Sequence, residues 1–253
     1  MRTFPLLKNE CLAPGFFRFR LRGNIGARPG QFVMVKAWPG FDPLLARPFS
    51  VHDQDETTFS ILFQVKGRGT AILATQKEGD EIQVLGPLGR GFDLSSVGPA
   101  ILVAGGIGIA PFLFLAKQLK AQGQKIYLFY GAKTATELLL LDEFETLGVE
   151  IFLATEDGKA GRRGFVTEPL RSFLEKSPQG VIYACGPLPM LKAVSDLAFT
   201  FGLKAFLSLE ARMACGLGMC LGCTVPKADG KFLHVCTEGP VVLAEEVFKG
   251  ALP

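Results

Sequence analysis

Hydrophobic and polar residues alternate in the first part of the chain. Across Phe16–Arg22, Phe17, Phe19 and Leu21 stand apart from Arg18, Arg20 and Arg22, a period of two that predicts a strand with one buried face. Further short strands are predicted at 31–36, after the Pro29-Gly30 turn, at 59–65 and at 81–85, each bounded by charged or glycine-rich turns. Arg47-Pro48-Phe49-Ser50 combines a cation, a stiff bend, an aromatic and a hydroxyl, and Gly86-Pro87-Leu88-Gly89 reads as a structural turn leading onward. Several short strands separated by turns predict an antiparallel β-barrel over residues 1–97.

The period changes after Gly98-Pro99. An uninterrupted apolar run at 100–104 reads as a buried strand, followed by glycines and a helix through about residue 120. Strands at 125–130, 149–154 and 181–184 then alternate with helices at 137–147, 167–174 and, after Pro187, through residue 198. Such alternation predicts a parallel-sheet α/β domain, here 98–207. A third segment, 208–253, holds most of the cysteines and ends in a short helix at 243–248. The expected fold is therefore multi-domain, β plus α/β: barrel, nucleotide-binding sheet and a small C-terminal metal module.

Composition narrows the function classes. A hydrophobic fraction of 48% in 253 residues supports real cores and excludes a disordered chain. Lys+Arg 27 against Asp+Glu 24 leaves +3 with no long basic run, which argues against nucleic-acid binding. No uncharged apolar stretch is long enough to read as a membrane span, and residues 1–15 lack a signal-peptide core, so a cytoplasmic protein is expected. In that compartment clustered thiols hold metal more often than they form disulfides.

The cysteines carry the sharpest signal. Cys215, Cys220, Cys223 and Cys236 follow C-x4-C-x2-C-x12-C. Four thiolates can hold two irons bridged by two sulfides, and this spacing matches the plant-type [2Fe-2S] pattern. Gly216, Gly218 and Gly222 let the loop wrap closely, bringing backbone N–H groups to sulfur. Structural zinc is the alternative; it more often uses two C-x2-C pairs, and here only Cys220 and Cys223 form one. That reading would make the chain a zinc-bearing interaction module rather than a redox protein. A [2Fe-2S] centre passes one electron at a time, so it calls for a two-electron to one-electron converter, the task of a flavin.

Nucleotide signals lie upstream. Gly106, Gly108 and Pro111 form G-x-G-x-x-P between a strand and a helix, a turn suited to phosphate, with a tight structural turn as the plain alternative. Cys185-Gly186-Pro187 follows a strand at the carboxyl end of the sheet, where ligands bind; Cys185 is a possible nicotinamide-side residue or simply a small buried hydrophobe. Arg47 offers a cation to a pyrophosphate and Ser50 a hydroxyl to an isoalloxazine edge, with Pro48 and Phe49 shaping that surface. Gly67-Arg68-Gly69-Thr70, ahead of an apolar helical stretch, suits a phosphate loop at Gly67, Gly69 and Thr70. Asp157-Gly158 and Gly161-Arg162-Arg163-Gly164 make either a second polar loop near nucleotide or a solvated turn. His52 and His234 show no partner pattern of a nucleophilic site. No acidic residue stands at the usual ribose-reading spacing.

Together these motifs resemble the ferredoxin–NADP reductase superfamily and, within it, the electron-transfer subunits of class 1B dihydroorotate dehydrogenase. The resemblance rests on 47–50, 67–70, 105–111, 185–187, Glu210, 213–223 and Cys236-Thr237-Glu238-Gly239-Pro240, where Thr237 and Glu238 replace the commoner Lys/Asn-Asp type. It implies an FAD-binding barrel, an NAD-binding domain and a [2Fe-2S] module, all serving pyrimidine biosynthesis. It also implies an FMN-containing catalytic partner that oxidises dihydroorotate, in a heterotetramer with two copies of each subunit. The implied electron route is FMN, [2Fe-2S], FAD, NAD. Another flavin iron–sulfur subunit, of a sulfide dehydrogenase or an NADH-dependent ferredoxin:NADP oxidoreductase, shares most of these motifs.

Overall fold

The computed structural model describes residues 1–96 and 98–249, and all counts refer to these. Val97, at the expected first boundary, and the end of the tail at 250–253 lie outside the described residues. The barrel is built from β1 (Arg2–Ala13), β2 (Phe16–Arg22), β3 (Phe32–Lys36), β4 (Arg47–Gln54), β5 (Thr58–Gln64) and β6 (Glu81–Leu88), with α1 (Arg68–Ala74) before β6. Its strands close in the order β1-β2-β5-β4-β3-β6, all antiparallel, which leaves no open edge. Alternate residues fill it: Phe19 and Leu21, Val33 and Val35, Phe59, Ile61 and Phe63, Ile82 and Val84.

The 47–50 motif is strand, and so is most of the segment at 86–89 that reads as a turn. Arg47–Ser50 opens β4, with Pro48 opposite Met34 and Phe49 opposite Val33. Gly86 and Pro87 lie inside β6, where a Cβ on Gly86 would stand 2.7 Å from Val33 Cγ1. Glycine is needed there because the two strands approach closely at an irregular step between Phe32 and Met34.

The second layer contains β7 (Ala100–Gly105), α2 (Phe112–Ala121), β8 (Ile126–Ala132), α3 (Leu141–Thr146), β9 (Glu150–Thr155), β10 (Arg162–Arg163), α4 (Thr167–Leu174), β11 (Val181–Cys185), α5 (Leu188–Thr200) and β12 (Lys204–Ser208). β7 and β11, buried on both faces, are the continuous apolar runs expected of a parallel sheet. The helix expected at 137–147 shrinks to α3, preceded by a 3-10 turn at Ala135–Glu137. Tyr130 in β8 explains the difference. Its buried hydroxyl donates to the Glu137 carbonyl at 3.1 Å and accepts from the Leu139 N–H at 3.2 Å, taking backbone groups that a longer helix would use.

The C-terminal segment adds the hairpin β13 (Thr224–Pro226) and β14 (Phe232–His234), then β15 (Val241–Leu243) and α6 (Ala244–Val247). β15 pairs antiparallel with β12, completing the order β10-β9-β8-β7-β11-β12-β15. The segment expected to be a separate cluster module thus also supplies the sheet's edge strand. α2 is seated on the barrel, with Phe114 packed into the barrel core and Lys117 paired with Asp53 of β4 at 2.5 Å. Among the described residues no helix is long and apolar enough to cross a membrane.

Candidate functional site

The motifs from all three segments meet at one cavity of about 230 Å³. Pro48, Phe49, Ser50 and Thr70 line it from the barrel, and Ile107, Ala110, Pro111 and Cys185 from the sheet. Ser208, Glu210 and Met213 close it from the start of the cysteine segment.

On the barrel side, the Arg47 guanidinium lies over Trp38, 5.7 Å from the ring, and its Nη1 donates to the Leu45 carbonyl. It also crosses the start of α1: a Cβ on Gly69 would sit 2.9 Å from Arg47 Nε. Glycine therefore brings backbone N–H and guanidinium to one place, as a pyrophosphate requires. The Thr70 hydroxyl is already engaged. It accepts from the N–H groups of Lys66 and Gly67 at 2.9 and 3.1 Å and donates to the Gly67 carbonyl at 2.9 Å. Its action is to shape the loop.

On the sheet side, Gly106 has φ +53 with open space where a Cβ would be, so its backbone is free to meet a ligand. Gly108 serves packing, because a Cβ there would strike the Cys185 carbonyl oxygen. The two βα turns bearing the G-x-G-x-x-P and Cys-Gly-Pro motifs thus lie against each other. Pro111 immediately precedes α2, and Pro187 immediately precedes α5. Burial, reinforced by the Glu210 charge and opposed by the Ser208 hydroxyl, pushes the Cys185 thiol up to about 12. Cys185 is therefore a neutral wall residue, not a thiolate nucleophile.

The cysteine loop leaves the cavity at Met213. Cys223 and Cys236 are buried, Cys215 is half-buried and Cys220 exposed. The thiols lie within one another's influence: Cys220 acts on Cys215, and both Cys223 and Cys215 act on Cys236. Among the described residues no three His, Cys, Asp or Glu groups converge on a single position. Four thiols on one loop and the hairpin that follows it suit a two-iron cluster. Backbone N–H groups already face sulfur: Leu217 and Cys220 to Cys215 at 3.3 and 3.4 Å, Gly218 to Cys236 at 3.1 Å, and Cys236 to Cys223 at 3.5 Å. The Leu217 and Cys220 N–H groups bring the Cys215 thiol down to about 6, while burial takes Cys236 up to about 11. Gly216, at φ +71, has no room for a Cβ, which would lie 2.9 Å from Met34 Cγ of the barrel. At the two unusual positions, Thr237 Cγ2 lies where it would touch a Cβ on Gly218, and Glu238 accepts from the His234 N–H at 2.7 Å.

A residue beyond the reach of sequence spacing emerges at the carboxyl end of β9. Glu156 N–H donates to the Ala132 carbonyl and Asp157 N–H to that of Lys133, each at 3.2 Å, so this acidic loop lies beside the end of β8. The Asp157 carboxylate is occupied by the Lys159 N–H at 3.0 Å. Glu156 is exposed beside it.

Fold and site together define a flavin- and pyridine-nucleotide-linked reductase with an iron–sulfur loop appended. Residues 102–196 match the oxidoreductase NAD-binding domain, and residues 210–248 match the iron–sulfur cluster binding domain of dihydroorotate dehydrogenase B. The chain is 42% identical over 222 residues to the dihydroorotate dehydrogenase B (NAD(+)) electron transfer subunit of Caldanaerobacter subterraneus subsp. tengcongensis, covering 87% of this chain and 86% of that one. It is 41% identical over 246 residues to the homolog from Aquifex aeolicus, covering 96% of each. A solved structure of NADH-dependent reduced ferredoxin-NADP oxidoreductase superposes with a TM-score of 0.87 at 32% identity, covering 98% of this chain and 90% of that one. The chain belongs to the family of dihydroorotate dehydrogenase B electron transfer subunits. The zinc alternative is set aside by the iron–sulfur match over the cysteine segment.

Proposed function

We propose that this chain carries electrons from a dihydroorotate-oxidising partner subunit to NAD, within pyrimidine biosynthesis. The observation that carries the reading is the shared cavity: the 47–50 strand, the 106–111 and 185–187 turns, and the start of the cysteine loop all border it. FAD, when bound, would supply exchange between one-electron and two-electron carriers. Arg47 would hold its pyrophosphate beside Gly67 and Gly69, Thr70 would fix that loop, and Pro48, Phe49 and Ser50 would bound its ring. Gly106, Gly108, Pro111 and Cys185-Gly186-Pro187 would form the nicotinamide side. Cys215, Cys220, Cys223 and Cys236 would hold the [2Fe-2S] cluster. In this division 1–97 serves FAD, 98–207 NAD, and 208–253 the cluster.

The partner is proposed to be FMN-containing, two copies of each subunit forming the complex. Leu217, Met219 and Leu221 support a docking face there: they are exposed apolar residues on the loop that carries the exposed Cys220 thiol. Electrons crossing between chains need that loop close to the partner. Selection of NAD is assigned to Glu156. In an open α/β sheet the dinucleotide lies across the carboxyl ends of the strands, where an acidic side chain bonds the ribose hydroxyls and repels a 2′-phosphate.

The high similarity to NADH-dependent reduced ferredoxin-NADP oxidoreductase supports a second reading, in which the same subunit serves a ferredoxin-coupled complex. Replacement of one ligand tests the shared core of both. Cys220→Ser should lose iron, acid-labile sulfide and the cluster spectrum while NADH still bleaches the flavin. Full iron and sulfide in that variant would reject the ligand set.

A further inference from the structure

Of the two histidines, His52 is fully buried, and it lies in β4, the strand that carries the flavin motif. Val51 points into the barrel core. At His52 the β4–β5 ladder shifts register between Val51 and Asp53, an irregularity of the kind that re-aims a side chain. The imidazole leaves the barrel and meets the other domain: Nδ1 lies 2.7 Å from the Ala110 carbonyl oxygen. A carbonyl only accepts, so Nδ1 carries the proton and donates it to this bond. Nε2 is buried without a partner among the described residues. A second proton there would be an unpaired donor, so the ring stays neutral. The charged groups around it are Arg18, Asp53 and Glu143. Arg18 is itself held by Glu10 and Glu143, and Asp53 by Lys117.

A leucine could fill the same space, so the placement of the bond matters. Ala110 and Pro111 border the cavity opposite Pro48, Phe49 and Ser50. Among the described residues, His52 supplies the only side-chain hydrogen bond received by the 105–111 turn. One buried bond thus ties the turn to β4, two residues beyond Ser50.

We propose that His52 is a positioning residue: its bond to Ala110 sets the height of the 106–111 turn, and hence of a bound nicotinamide, over the flavin-bearing strand. This rests on the assignment of the cavity as the flavin–nicotinamide site. The reaction moves one hydride, two electrons with one proton, between nicotinamide C4 and flavin. The imidazole exchanges nothing in it.

The test uses purified protein with its own flavin, mixed anaerobically with NADH, and compares His52→Asn, His52→Gln and His52→Leu. Asparagine places an amide nitrogen near the Nδ1 position, whereas glutamine places one nearer Nε2. His52→Gln and His52→Leu should keep flavin yet reduce it about tenfold more slowly or worse, the scale expected when reacting groups are misplaced by a fraction of an ångström to an ångström. They should also weaken the long-wavelength charge-transfer absorbance of the reduced flavin–NAD pair and raise the calorimetric Kd for NAD severalfold. His52→Asn should restore all three readouts to within about threefold, the tolerance expected when a hydrogen bond is kept with slightly altered geometry. If His52→Leu does not fold, the Asn–Gln contrast carries the result. Wild-type rates and absorbance in His52→Gln, or a His52→Asn protein that is as slow as His52→Gln or lacks flavin, would overturn the proposal. Wild-type protein without flavin or inert to NADH would instead strike the cavity assignment.

Discussion

Single residues divide into those that touch ligand chemistry and those that hold them. Arg47 is proposed for the first group. Losing a guanidinium that pairs with phosphate removes a charge-assisted bond worth about 1.5–3 kcal/mol. Arg47→Ala should therefore weaken FAD binding roughly ten- to hundredfold, read by flavin retention on gel filtration and by titration of apoprotein; undiminished affinity would remove Arg47 from the phosphate site. His52 is in the second group and makes stability depend on pH. Burial holds its pKa below the ordinary value, with the Ala110 bond opposing the shift and Arg18 adding to it. Below about pH 6.5 an unfolded histidine takes up a proton that the folded one refuses, so stability falls as pH drops through that value and below. Above it the term vanishes. Melting curves at pH 5.5 and 7.5 should show a smaller acid loss in His52→Asn than in the native protein, and an equal loss would contradict the assignment. The iron–sulfur segment was legible in the sequence because its cysteine spacing is local. Glu156 and His52 were not, because the placement of an acid just past β9 beside the end of β8, and a bond from β4 to a turn 58 residues away, exist only after the strands assemble.

Elements show the same division. The parallel strands were readable because burial on both faces leaves an uninterrupted apolar run, as in β7 and β11. β1 and β4 were missed, since each carries a proline and charged residues that resemble turn signals. α3 was drawn too long because its apolar periodicity continues upstream, where a tyrosine hydroxyl from β8 captures the backbone. The turn glycines were recognised, but their separate tasks needed the fold. Gly106 leaves space for a ligand, whereas Gly108 lets two turns touch. Gly108→Ala should push the 106–111 turn off the end of β11. Overpacking of this kind costs about 1–3 kcal/mol, and each kcal/mol lowers Tm by roughly 2–4 °C in a chain of this size. Calorimetry of the purified variant reads this directly, and an unaltered Tm with native NAD affinity would show that the contact is dispensable.

At the scale of the whole molecule, the barrel and sheet form a two-walled cleft, and the C-terminal segment both completes the sheet through β15 and closes the cleft through Glu210 and Met213. Redox groups on either side of that segment would therefore be held by one continuous piece of structure. The domain order was legible from the change of period near residue 98; the pairing of β15 with β12 was not, because a three-residue edge strand has too little pattern to announce its partner. Substrate oxidation is left to another chain, so the decisive measurement is made on the complex. The chain is purified anaerobically with its partner and assayed for dihydroorotate-dependent reduction of NAD, alongside iron, sulfide and flavin content. Orotate and NADH formed in equal amounts, by a complex containing FAD, FMN and a two-iron cluster, is the expected result. A complex that ignores dihydroorotate and instead couples NADH to ferredoxin and NADP would contradict the assignment.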